Sequence, residues 1–98
     1  MQIAELQKDS KRVYVQGVIA KVEEARTVNY KAGGQGQVMH CTLQDASGSV
    51  DFVVWNEDIA FIKPEAIISL ENGFCSEYPK DSGKIQLNRG KYGKMVVQ

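Results

Sequence analysis

In "VMHCTLQDASGSVDFVVWNEDIAFIKP", residues 38–64, two runs with apolar residues at alternate positions flank a short polar segment. Side chains alternate faces along a strand, so Met39, Cys41 and Leu43 share one face of the first run. Val38, His40, Thr42 and Gln44 share the other. Asp45-Ala46-Ser47-Gly48 has turn chemistry, with Gly48 free to take a positive φ. In the second run, Val50, Phe52 and Val54 facing inward send Asp51, Val53 and Trp55 outward. Burying Trp55 instead would drag Asp51 into the core, so the only tryptophan of the chain is expected on the outside. "NEDIAFI" then reads as a helical turn that packs Ile59 and Ile62, and Lys63-Pro64 starts the next turn.

Upstream, "KRVYVQGVIAKVEEAR" alternates Val13 and Val15, then Val18, Ala20 and Val22. The slip of one residue at Gln16-Gly17 predicts a β-bulge that bends a long strand. "TVNYKAGGQGQ" reads as a glycine-rich loop. Downstream, "AIISLENGFCSEY" places Ile68 and Leu70 inward. A second slip at Gly73 would turn Cys75 inward and Phe74, Ser76 and Tyr78 outward, whereas an unbroken alternation would bury Phe74 and Tyr78. After the turn "PKDSG", "KIQLN" alternates Ile85 and Leu87 inward with Lys84, Gln86 and Asn88 outward, and "KMVVQ" is read as a short closing strand. The expected class is all-β: a long bent strand, a hairpin of the second and third, a short helical connection between strands 3 and 4, then a second hairpin. That order describes a five-stranded Greek-key barrel, the OB-fold.

Ninety-eight residues match one domain spanning 1–98 with one core. With 43% hydrophobic and 24% charged residues, the composition is that of a globular chain rather than a disordered one. No apolar stretch reaches the roughly 18 residues of a membrane span, and the N-terminus lacks the pattern of a signal peptide, so the expected location is intracellular, without a membrane partner. Cys41 and Cys75 have neither CxxC spacing nor a histidine cluster and read as buried thiols; no metal and no cofactor is implied. One histidine, no nucleophile placed beside a base, and no lysine with Ser/Thr after "AGGQG" leave no catalytic constellation to read. The expected protein is not an enzyme. Net charge is zero, yet from Lys80 onward five basic residues face one acidic, against seven basic and eleven acidic in the first 79. Such asymmetry can make a local positive stripe.

The run from Leu43 to Gly90 resembles the single-OB single-stranded DNA-binding proteins of archaea and their eukaryotic relatives, which are similar to the OB domains of replication protein A. The resemblance rests on the Asp45-Ala46-Ser47-Gly48 turn, Trp55 at a strand end, the Lys63-Pro64 turn, Phe74 with Tyr78, and Gly83 through Leu87-Asn88 to Gly90. "IAELQKDSKRVYVQGVIAKVEEAR" also matches the family's opening strand. Glu65 stands where the family usually has glycine, which favours a type I turn. The resemblance implies that Trp55, Phe74 and Tyr78 stack on DNA bases, in replication, recombination or repair.

The residues supply an independent physical case. Sequence-independent single-strand binding needs aromatic platforms and a positive backbone track. Lys84, Arg89, Lys91 and Lys94 can provide the charge, and Gln86 and Asn88, on the face of Lys84, can hydrogen-bond bases or sugars. Arg26, Tyr30 and Lys31 border the first loop and can close over a strand, while Tyr14 and Tyr92 read as packing residues. Single-stranded DNA is therefore the expected partner, together with protein partners of replication or repair. Stacking is indifferent to the sugar, so RNA or tRNA is an alternative ligand, and an OB-fold subunit that meets another protein through its aromatic face is the alternative role.

Overall fold

The computed structural model describes residues 2–77 and 81–98. A short 3₁₀ turn at Ile3–Glu5 precedes seven strands: β1 (Lys11–Val22), β2 (Arg26–Asn29), β3 (Gln35–Asp45), β4 (Gly48–Trp55), β5 (Ile67–Glu77), β6 (Ile85–Asn88) and β7 (Lys94–Val97), with a second 3₁₀ turn, Asn56–Phe61, between β4 and β5. Five of the strands close a barrel in the order β1-β3-β4-β6-β5, and β5 returns to pair with β1. The β4–β6 pairing is parallel and the others antiparallel. This is the expected five-stranded OB barrel, with β2 added as a hairpin on β3 and β7 alongside the first half of β5.

Alternation fills the barrel. Val13, Val15 and Ile19 from β1, Met39, Cys41 and Leu43 from β3, Val50, Phe52 and Val54 from β4, Ile68, Leu70 and Cys75 from β5, and Leu87 from β6 make one buried cluster. Ile3 and Leu6 join it from the N-terminal turn, whose Ile3 N–H donates to Asp45 Oδ2 at 2.9 Å. At the far end of β4 the second 3₁₀ turn brings Ile62 into the core with Ile59 against it, as the sequence predicts. Burial pushes the Cys41 thiol up to about 12, with nearby Asp51 adding to it, and burial alone pushes Cys75 to about 11; both are neutral, packed thiols.

Three expectations in the first half of the chain are corrected. First, alternation in β1 runs unbroken through Gly17, which is inward, so Ile19 is buried while Val18 and Ala20 are exposed. A Cβ at Gly17 would stand 2.6 Å from the Gln44 carbonyl oxygen, so glycine serves close strand approach there, and the register break against β3 lies at Ala20. Second, the segment read as a loop contains β2, because Arg26–Asn29 pairs with Gln35–Val38 around a turn in which Gly33 and Gly34 take positive φ. Third, the β3–β4 turn does not use a left-handed Gly48, which is absent from the positive-φ glycines among the described residues. Asp45 closes it: Oδ1 accepts the Ser47 hydroxyl and the N–H groups of Ser47 (2.7 Å) and Gly48 (3.1 Å). The Ser47 hydroxyl bond, then the Ile3 N–H, hold that carboxyl down at about 2.

Glu65 also departs from the expected type I turn. It sits at φ 71° inside a turn closed by Ala66 N–H donating to the Lys63 carbonyl at 3.1 Å, the left-handed position of a type II turn. A non-glycine residue there costs about 1–2 kcal/mol, partly offset by the extra chain entropy of glycine, about 0.5–1 kcal/mol. Glu65→Gly is therefore expected to stabilise the fold by about 0.5–1 kcal/mol, read as a higher denaturant midpoint at unchanged slope. A lower midpoint would mean that the Glu65 side chain has a stabilising contact.

Candidate functional site

Register partners in a sheet carry their side chains on the same side, so the pairings map the outer face directly. One row runs Arg26, Val38, Trp55 across β2, β3 and β4. The next runs His40, Val53, Asn88, Phe74 across β3, β4, β6 and β5, and continues to Lys11 on β1. A third holds Thr42, Asp51, Gln86 and Ser76. Six strands thus build one surface in which aromatic, amide and basic groups lie side by side.

Trp55 is 42% exposed, as the parity of β4 requires. It overhangs a groove lined by Arg26, Val28, Val38, His40, Val53 and Gln86. Val38 and Val53 are nearly fully buried yet stand outside the barrel core cluster. They form a second, small apolar floor on the outside of the sheet. The sequence placed Val53 outward correctly and missed that its neighbours cover it. An indole over such a floor, beside a guanidinium and an amide, suits a flat apolar ring with a polar edge and a nearby negative charge.

Phe74 is 40% exposed and Cys75 buried, which is the outcome of a slip in β5. The extra residues sit at Glu71-Asn72, between the pairs Val15–Leu70 and Val13–Gly73, with Asn72 at φ 56°. Gly73 is inward, and a Cβ on it would lie 2.6 Å from Leu70 Cδ2. The Phe74 ring rests on Gly90, where a Cβ would meet ring carbon Cε1 at 2.8 Å. Tyr78 and Lys80 lie outside the described residues.

The basic residues divide. Arg26 is on the groove itself, and Lys84 lines an adjoining cleft with Asp51 and Gln86, so Gln86 links the two. Lys31 is exposed beside the β2–β3 turn. Arg89 is turned away: its Nε lies 2.6 Å from Asp58 Oδ2 and its Nη1 donates to the Gly93 carbonyl at 3.1 Å, in a separate cleft with Phe61 and Lys94. Lys91 Nζ stands 5.7 Å from the centre of the Tyr92 ring. Tyr92 and Tyr14 are both exposed rather than packed. Among the described residues, Lys84, Arg89, Lys91 and Lys94 do not form one stripe along the aromatic face. In the middle of that face His40 Nδ1 lies 3.1 Å from Asp51 Oδ2.

Lys11, which carried no expected role, and Tyr30, expected to border a loop and close over a strand, complete the surface. Lys11 is the register partner of Phe74 across a bulge at Arg12, whose φ is 53°. Tyr30 lies over Gly36, where any Cβ would overlap its hydroxyl. The signal for Tyr30 was an aromatic of β2 parity two residues after Val28; reading β2 as a loop hid it.

The barrel is similar to solved structures that share little sequence with it. The replication factor A related protein of Methanobacterium thermoautotrophicum superposes with a TM-score of 0.78 at 18% identity over 100% of this chain and 89% of that one. The second OB-fold domain of replication protein A from Methanococcus maripaludis gives 0.78 at 18%, over 99% and 92%. An OB domain from Thermoplasma acidophilum gives 0.78 at 11%, over 100% and 85%. At these identities the likeness concerns the fold. No curated protein matches the sequence. Residues 7–97 match the family model described as single-stranded DNA binding protein Ssb-like, OB fold, and the chain, matched over nearly its whole length, belongs to that family.

Proposed function

We propose that this protein binds single-stranded DNA, largely without sequence preference, by stacking bases on Trp55 and Phe74 while Arg26, Lys84 and Lys11 follow the phosphates. The observation that carries the reading is the groove in which a 42% exposed indole overhangs a buried valine floor beside Arg26 and Gln86. A tryptophan kept only for packing would not be held half in water over a ready-made slot. Membership of the Ssb-like family supports the same ligand, and roles in replication or repair follow from that ligand class. Gln86 and Asn88 supply amides that hydrogen-bond base edges or sugars. Arg89, tied to Asp58, contributes to the shape of the site rather than to its charge.

Titration with oligo-dT tests this. Stacking on Trp55 is expected to quench its emission to saturation, and log affinity is expected to fall with log salt at a slope of about −1.4 to −2.8, the value for about two to four phosphates neutralised on a single strand. Arg26→Gln with Lys84→Gln flattens the slope and leaves the quench. Equal quenching by oligo-U would widen the ligand to RNA. Absence of quenching by either overturns nucleic-acid stacking and leaves the protein-interaction role.

A further inference from the structure

The β2–β3 hairpin is fastened to the end of β4 in a way that the barrel does not require. Asn56, immediately after Trp55 and at φ 50°, accepts the Gln37 N–H on Oδ1 at 2.9 Å and donates from Nδ2 to the Tyr30 hydroxyl at 3.1 Å. Tyr30 N–H donates to the Gly34 carbonyl, and Gly33 N–H to the Tyr30 carbonyl, each at 3.1 Å, so the turn that bears the ring is itself closed. Gly36 lies beneath the ring because only glycine leaves room for it. Tyr30 nevertheless remains 41% exposed. Gly36 and Val38 share a face of β3, and Val38 is the partner of Trp55. Tyr30 therefore stands one step along the strand beyond Trp55, on the same side of the sheet.

We propose that Tyr30 is a further stacking platform, held ready by Asn56 and Gly36, which extends the aromatic track past Trp55 by one nucleobase. The proposal rests on the single-strand reading above and adds to it a residue and a longer site. Three constraints act on this side chain before any ligand arrives. Ordering a free tyrosine on binding would cost rotamer and loop entropy, and the latch removes that cost in advance. A tyrosine kept only to tether the hairpin would be covered by it; Tyr30 stays exposed at the end of a row of aromatic and apolar groups.

The test is a length series of oligo-dT read by Trp55 emission, on the wild type, Tyr30→Leu and Gly36→Ala. Leucine keeps apolar volume without a ring face, whereas the alanine Cβ displaces the ring without removing it. Both are expected to bind long oligonucleotides about fivefold or more weakly, to reach their affinity plateau at a length one nucleotide shorter, and to keep full Trp55 quenching and a near-wild-type unfolding temperature. Wild-type affinity and plateau length in either variant would overturn the role of Tyr30 while leaving the single-strand reading intact. Weaker binding that only follows a lowered unfolding temperature would make the ring a structural tether and overturn it as well. A wild type that fails to quench with any oligonucleotide sinks both proposals together.

Discussion

Trp55→Ala is expected to weaken oligo-dT binding by about 1–3 kcal/mol, or roughly 5- to 150-fold, while the barrel unfolds at nearly its original temperature. The indole belongs to no part of the core cluster. Its removal uncovers the sides of Val38 and Val53 but leaves their backbone pairing unchanged, so the structural cost is small beside the loss of the stacking face. Equilibrium titration together with thermal unfolding separates the two effects. A large fall in unfolding temperature with unchanged affinity would make Trp55 a packing residue.

Phe52→Ala, three residues earlier on the same strand, is expected to do the reverse. Phe52 is fully buried and the largest such side chain among the described residues, at the centre of β4 between Cys41 of β3 and Leu87 of β6. Deleting a buried phenyl ring costs about 3–5 kcal/mol, which is a large share of the about 5–15 kcal/mol that holds a typical domain together. Chemical denaturation should show a much lower midpoint, and the folded fraction should bind oligo-dT with wild-type affinity. If Phe52→Ala instead leaves the midpoint in place, the two faces of β4 have been assigned the wrong way round.

The opposite fates of these two residues were legible because β4 is short, regular and strictly alternating, so one charged residue, Asp51, fixes the phase of the strand. Where a glycine interrupts the pattern, the sequence is ambiguous. Gly17 has no side chain to show its direction, and the weakly apolar Ala20 made the wrong phase look continuous; the demand for close approach to Gln44 comes from a partner strand far along the chain. At Gly73 the sequence left two phases open, Phe74 outward after a slip or inward without one, and the bulge at Glu71-Asn72 selects the first. β2 was missed since Val28 is its only aliphatic residue, and with it went the position of Tyr30. The basic stripe could not be assessed from spacing at all, because Arg89 is engaged by Asp58, which lies 31 positions away.

The parallel pairing of β4 with β6 has a consequence for synthesis. Lys11, Trp55 and Asn88 belong to the same outer surface, so that surface draws on positions far apart in the sequence, and its last rows exist only after β6 has docked between β4 and β5. Non-local pairings of this kind are slow to form, because the intervening loop must be ordered before any contact rewards it. A nascent chain halted before residue 85 has Trp55 but no Gln86 or Asn88 beside it and no strand between β4 and β5. The outer surface is therefore assembled late, since its Gln86 and Asn88 rows wait for β6 to enter the barrel.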